Sequence, residues 1–238
     1  MTSGEIRPYT DPSSHRPLNT LLPLATPLSL LVDPASKCNL SCPFCPTGNP
    51  GAVRVPRGSM SLRLFAKVIE DLAEFDGPVE RLHLYKDGEP LLNPNLEIFA
   101  STAKARGVAR SVETTTNGVC LDAARCRSIV ASGLDRIRVS VQPPQTIASD
   151  QVTWRESYER VRANVATLWV ERQRQNASLA IHVKTIDFGL SSAQAHDFFA
   201  DFGAMADSVH IDAPMGWPST GQVDYLLGTS PVSDMNRR

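Results

Sequence analysis

Three of the five cysteines in the sequence lie in one short segment, "KCNLSCPFCPTG", which also contains Pro43 and Pro46. Cys38, Cys42 and Cys45 are spaced by four and three residues. Thiolates at these spacings can converge on one cuboidal iron-sulfur cluster, because a loop lets each side chain turn inward. Three local ligands leave one metal corner open, whereas a structural zinc site has four ligands. The spacing therefore favours a cluster with an open iron, with a zinc site or a redox pair as alternatives.

The other two cysteines, Cys120 and Cys126, fall at the start of a later helical unit. We expect them to be small buried side chains rather than ligands. The N-terminal segment "MTSGEIRPYTDPSSHRP" lacks the apolar run and the cleavage site of a secretory signal. A cytoplasmic location is therefore expected, where cysteines stay reduced and a tight cysteine cluster indicates metal or redox chemistry rather than disulfides.

The composition is that of an ordinary folded protein. Hydrophobic residues make up 42% and charged residues 21% of the 238 residues, and the formal net charge is -1. The apolar stretch "NTLLPLATPLSLLVD" is interrupted by prolines and too short to span a bilayer. No block of consecutive Lys or Arg is present, so neither a nucleic-acid partner nor a membrane partner is expected.

Apolar runs typical of strands alternate with longer amphipathic segments after residue 26. The six predicted strands are 27–33, 79–85, 109–116, 135–141, 178–186 and 208–213. The five predicted helices are 61–75, 94–106 with Asn93 as N-cap, 122–133, 154–175 and 192–202. Such alternation predicts an α/β fold with a parallel sheet, either open or curled toward a barrel.

Polar motifs follow the predicted strands at their carboxyl ends. The cysteine segment follows the first strand, "KDGEP" the second, "TNG" the third and "QPP" the fourth. Ligands bind at the carboxyl ends of the strands in parallel α/β sheets. We therefore expect these motifs to meet at one rim of the sheet and to form the functional site.

The CxxxCxxC pattern after the first strand, with Phe44 before its last cysteine, and "GEP" after the second strand resemble the radical S-adenosylmethionine (SAM) superfamily over about residues 28–215. The resemblance implies a partial (β/α)6 parallel barrel of radical SAM type, preceded by an irregular N-terminal arm. It implies that Cys38, Cys42 and Cys45 ligate a [4Fe-4S] cluster and that SAM chelates the open iron. The implied cofactors are therefore the cluster and SAM.

The resemblance also implies a SAM-binding role for several rim residues. Phe44 would lie near the adenine, and Gly88 and Glu89 would receive the methionine ammonium, although Asp87 stands where the family usually has glycine. Ribose and the methionine carboxylate would be held by the remaining candidates, which are Thr116, Asn117, Ser140, Gln142 and Lys184.

Some of these residues also have a purely structural interpretation. Asn117-Gly118 is equally a common turn signal. His83 and His182 fall within strands, where a hydrogen-bonded histidine of the core or sheet face is expected.

The implied chemistry is reductive cleavage of SAM to a 5′-deoxyadenosyl radical, which removes hydrogen from a substrate. We expect a small-molecule substrate that is dehydrogenated or epimerised, which makes the protein an oxidoreductase or an isomerase. The electron donor would be a protein such as flavodoxin or ferredoxin. The alternatives are a maturase that acts on a peptide presented by a partner and a non-catalytic iron-sulfur or zinc module with a regulatory role.

The expected domain organisation is an extended arm over 1–26, the radical SAM core over 27–215 and a tail over 216–238. The tail contains Trp217 and could be the start of an auxiliary domain of the SPASM or twitch type. No cysteine follows Cys126, so ligands for an auxiliary cluster are missing. The arm is too short and proline-rich to hold a folded peptide-recognition module, which is why the sequence favours a small molecule over a peptide.

Overall fold

The computed structural model of the chain describes residues 20, 22–42, 45, 47, 57–142 and 151–213, with only the backbone for 151–154. Phe44, residues 1–19 of the predicted arm and the tail after residue 213 lie outside the described part. The expectations that concern them therefore stay predictions.

Six parallel strands form one sheet in sequential order. They are β1 (Ser29–Leu31), β2 (Val79–His83), β3 (Ala109–Thr116), β4 (Arg136–Ser140), β5 (Ala180–Ile186) and β6 (Ser208–Asp212). Each strand pairs in parallel with the next. Within the described residues no pairing of β1 with β6 closes the sheet. The predicted fold class, a partial (β/α)6 barrel, is confirmed.

The helices connect successive strands. They are α1 (Leu62–Leu72), a short 3-10 turn (Pro90–Leu92), α2 (Leu96–Arg106), α3 (Ala123–Ala131), α4 (Gln151–Arg174) and α5 (Ser192–Phe202). Ser61, Asp122 and Ser191 cap α1, α3 and α5, each accepting a backbone N–H of the first turn. No helix in the described ranges is long and apolar enough to cross a membrane.

The prediction that Asn93 caps the second helix is wrong. α2 begins after Asn95, and Asn93 is fully buried in the turn before it. The Asn93 amide donates to the carbonyl oxygens of Pro34 (2.8 Å) and Met60 (2.9 Å). Its side-chain oxygen accepts from the backbone N–H of Asn95 at 2.9 Å. Asn93 therefore connects the loop after β1, the start of α1 and the loop after β2.

The hydrophobic core lies between the outer face of the sheet and the helices. Alternate strand residues, for example Leu82, Val112 and Ile137, are fully buried on this face. Phe65 of α1 and Phe99 of α2 stack with ring centroids 4.2 Å apart. Since side chains alternate along a strand, the residues between these face the concave side of the sheet, where polar groups predominate.

Candidate functional site

The cysteine loop leaves the carboxyl end of β1. The backbone N–H of Cys45 donates to the carbonyl oxygen of Cys42 at 3.0 Å, and the N–H of Leu40 donates to the Cys38 sulfur at 3.4 Å. Cys38, Cys42 and Cys45 are half-buried free thiols. The loop therefore holds three soft sulfur donors at the rim of the sheet, as the sequence predicts.

The local electrostatics disfavour three thiolates without a cation. Burial raises the pKa of the Cys38 thiol, and it raises the pKa of Cys42 to about 12. The neighbouring thiol of Cys45 contributes to both of these shifts. Within the described residues no three His, Cys, Asp or Glu side chains already form a metal shell. The fit to an iron-sulfur cluster therefore rests on donor chemistry: a cationic metal centre with thiolate ligands would remove this penalty.

Gly88 lies where the loop after β2 crosses the cysteine loop. A Cβ at this position would overlap the carbonyl oxygen of Ala35 and lie 2.7 Å from that of Lys37. The next residue, Glu89, donates its backbone N–H to the same Lys37 oxygen at 2.9 Å. A glycine is therefore required for the packing of the two loops, a role that the sequence does not reveal. Its contact with SAM stays a prediction.

The Glu89 carboxylate is 2% exposed and bridges β2 to β3. One oxygen accepts from the Leu91 backbone N–H (3.0 Å) and the Thr116 hydroxyl (2.6 Å), and the other accepts from the Asn117 backbone N–H (2.7 Å). Burial raises the pKa of Glu89, while these hydrogen bonds lower it. The carboxylate thus fixes the end of β3 beside the cysteine loop, and its pairing with a methionine ammonium stays a prediction.

Asn117 connects the end of β3 to the cysteine loop. Its side-chain N–H group donates to the Asn39 side-chain oxygen at 2.7 Å and lies 3.8 Å from the Cys38 sulfur. Its side-chain oxygen accepts from the Val119 N–H at 3.0 Å, and Gly118 follows with a φ of 76°. Asn117 therefore both forms the predicted turn and lies beside the cysteine loop. Sequence reasoning missed Asn39, because a loop asparagine carries no signal of its own.

The remaining candidates lie on the ends of β4 and β5. Ser140 is in register with Lys184, whose ammonium forms an ion pair with Asp212 of β6 at 2.9 Å. Gln142 lines a small cavity that Asn117 and Leu40 also line. The structure thus brings all three candidates to the same rim as the cysteine loop. Their contacts with SAM stay predictions.

Comparison with known proteins decides the family. A model of the Radical SAM superfamily matches residues 32–168, more than half of the chain, and the match includes the cysteine loop and strands β2 to β4. The chain belongs to the radical SAM superfamily. This family uses a [4Fe-4S] cluster and SAM, so the predicted cofactors are confirmed, as is the family that the cysteine motif indicates.

Curated relatives of this radical SAM chain include two proteins named PqqA peptide cyclase. The one from Xanthomonas campestris pv. campestris (strain B100) is 29% identical over 143 residues, which is 60% of this chain and 36% of the relative. The one from Rhizobium meliloti (strain 1021) is 30% identical over 142 residues, 59% of this chain and 36% of the relative. The chain thus matches little more than a third of the length of these relatives.

Solved structures share the fold at low identity. Native anSMEcpe with bound AdoMet and Kp18Cys peptide superposes with a TM-score of 0.56 at 16% identity, covering 82% of this chain and 55% of that chain. HydG, a maturase of the [FeFe]-hydrogenase, gives a TM-score of 0.50 at 10% identity, covering 82% and 46%. At these identities the likeness shows the fold alone.

The radical SAM core also contains a buried charge cluster that sequence reasoning missed. Glu113 of β3 is fully buried and accepts from Arg136 (2.8 Å) and Arg138 (3.1 Å) of β4. Burial raises the pKa of Glu113, but Arg136, Arg138 and His83 together hold it below its usual value. The available signal was the alternation of charged and apolar residues in "RIRVS", which places Arg136 and Arg138 on one face of β4.

Proposed function

We propose that the chain is the core of a radical SAM enzyme that abstracts hydrogen from a residue of a peptide substrate. The observation that carries the proposal is the loop of three free cysteines at the carboxyl rim of the sheet, within the span that matches the superfamily. The peptide substrate is supported by the relatives named PqqA peptide cyclase. The prediction of a small-molecule substrate has no comparable support.

The three cysteines would hold the cluster, and the rim residues would orient SAM. Held by these cysteines, the cluster would supply one electron for reductive cleavage of SAM to methionine and a 5′-deoxyadenosyl radical, and that radical would take hydrogen from the substrate. Glu89 holds β3 and the cysteine loop in a fixed relation, because its carboxylate is buried and accepts hydrogen bonds from Thr116 and Asn117. An oxidoreductase or isomerase outcome remains a prediction from the sequence, as does a flavodoxin-like or ferredoxin-like electron donor.

The test is anaerobic reconstitution with iron and sulfide, followed by SAM and a strong reductant. We expect 5′-deoxyadenosine to form. Cys42→Ala should abolish it and lower bound iron, because three ligands are the minimum for the cluster. Cys126→Ala is the matched control, since Cys126 is a fully buried thiol in the core and should retain iron and SAM cleavage. Cleavage that persists undiminished in Cys42→Ala contradicts the proposal.

The substrate class is tested with the same reconstituted protein. Peptides encoded by short reading frames beside the gene are added, and 5′-deoxyadenosine is measured against the rate without substrate. We expect a peptide to raise the rate and to lose hydrogen in its mass spectrum. Stimulation by a small-molecule extract alone would support the small-molecule prediction instead. A cluster that forms while SAM stays intact would support the non-catalytic alternative.

A further inference from the structure

A group of basic side chains lies on the concave face of the sheet, opposite the helices. We call Arg81 of β2 and Arg136 and Arg138 of β4, together with Glu113 of β3, the inner-face cluster. Arg136 and Arg138 donate to the Glu113 carboxylate at 2.8 and 3.1 Å, and Arg81 lies 3.8 Å from it. The residues between them on each strand are buried against the helices, so these four project into the concavity.

The inner-face cluster has more positive than negative charge. In the described part of the chain, the guanidinium groups of Arg81, Arg136 and Arg138 all lie within 3.8 Å of the Glu113 carboxylate, which is fully buried. The side chains of Arg138 and Arg136 are only 6% and 32% exposed, so water compensates their charge poorly. Two carboxylates near this face already have cationic partners, since Asp212 pairs with Lys184 and Asp207 pairs with Arg172. An additional anion would therefore be stabilised beside the arginines.

Polar atoms without a partner border the same space. The Arg136 Nε–H and His182 Nε2 are buried and have no hydrogen-bond partner in the described part of the chain. His182 lies on β5 beside Arg138, and its other ring nitrogen, Nδ1, contacts the Ser208 hydroxyl. Burial is the main cause that lowers the pKa of His182 to about 4, and the neighbouring Arg136 and Arg138 lower it further. A ligand with acceptor oxygens would accept from the unpartnered Arg136 Nε–H.

We propose that the inner-face cluster is a binding subsite for an oxyanion of the substrate, a carboxylate or a phosphate. A guanidinium group binds either one through paired N–H donors. Arg138 lies two residues before Ser140 on the same face of β4, so an anion held here lies directly below the rim that carries the cysteine loop. The identification of this ligand as the substrate rests on the proposed function. In a peptide substrate, the anion would be an acidic side chain or the C-terminal carboxylate.

The test is titration calorimetry of the reconstituted full-length chain at low ionic strength without SAM, with glutarate and inorganic phosphate as probes. We expect saturable binding of at least one probe, and the tighter one identifies the anion class. Arg136→Gln should weaken it about tenfold, because glutamine keeps a donor for Glu113 but loses the charge. Arg110→Gln is the matched control: Arg110 of β3 pairs with Glu80 on the surface, and binding should be unchanged.

A second variant should change the affinity for the probe in the opposite direction. Glu113→Gln removes the only carboxylate of the inner-face cluster and should tighten anion binding about fivefold or more. If the inner-face cluster has only a structural role, neither probe binds, or Arg136→Gln and Arg110→Gln bind the probe equally well. Either result overturns the inference. If Glu113→Gln does not fold, the two arginine variants still decide. The proposed function is tested separately by 5′-deoxyadenosine, which forms without the probe.

Discussion

At the scale of single residues, close packing fixes the cysteine loop relative to the loop after β2. Gly88 faces the Ala35 and Lys37 carbonyl oxygens at a distance that excludes any side chain. Both carbonyls are backbone atoms, so they cannot rotate away as the end of a flexible side chain would. The position of the cysteines relative to Glu89 and β3 therefore depends on the absence of one methyl group.

Gly88→Ala should lower the free energy of unfolding by about 1–3 kcal/mol, because the added carbon forces the two loops apart. The reconstituted variant should also bind less iron, since the cysteine loop is displaced. Urea denaturation and iron analysis measure the two effects. Gly77→Ala is the matched control, because a Cβ there has no heavy atom within 4 Å. Equal stability and iron content in the two variants would contradict this account.

At the scale of the elements, the loops before α1 and α2 are held together from inside. Asn93, in the loop before α2, is fully buried and donates to the carbonyls of Pro34 and Met60, which lie near the two ends of the connection between β1 and α1. Loop carbonyls in the interior must find donors, since water cannot reach them. The Asn93 side chain thus supplies hydrogen bonds that backbone pairing would supply in a regular sheet.

Asn93→Ala should destabilise the protein by about 2–3 kcal/mol, because the carbonyl oxygens of Pro34 and Met60 each lose the hydrogen bond from the buried Asn93 amide. Asn95→Ala should change stability by less than about 0.5 kcal/mol, since Asn95 precedes α2 but makes no side-chain capping hydrogen bond. The two neighbouring asparagines form a matched pair in chemical denaturation at neutral pH. A loss in Asn95→Ala as large as that in Asn93→Ala would contradict this account.

The elements themselves could be predicted from the sequence, whereas the long-range partners could not. The strand and helix patterns of the sequence give β3 and α5 at their observed bounds. Asn93 followed by proline has the pattern of a helix start, yet its hydrogen bonds to the connection between β1 and α1, distant in sequence, decide its role. The cysteine spacing is local and predicts the loop, but the Asn117 contact with Asn39 joins positions far apart in sequence.

At the scale of the whole molecule, the sheet separates an apolar outer face from a charged concave face. Isoleucine and valine of β5 pack outward, while His182 and Lys184 project inward among the arginines of β4. The overall net charge of -1 conceals this asymmetry. The apolar residues of the outer face produce the sequence pattern from which the fold was predicted. The charged cluster was missed, because opposite charges on neighbouring strands pair only after folding.

The concave face should make stability depend on pH through His182. Burial is the main cause that lowers its folded pKa to about 4, and Arg136, Arg138 and His210 lower it further while Asp207 opposes them. Because the folded pKa lies below the unfolded value of 6.5, the stabilisation is complete above pH 6.5 and is lost as the pH falls toward 4. After screening by solvent, the loss of stability should be about 1–2 kcal/mol.

His182→Asn should reduce the pH dependence of the free energy of unfolding, measured by chemical denaturation between pH 7 and 4.5. His196→Asn, a change at an exposed position on α5, should keep it. A slope that is identical in both variants would mean that His182 does not titrate differently in the folded and unfolded chains.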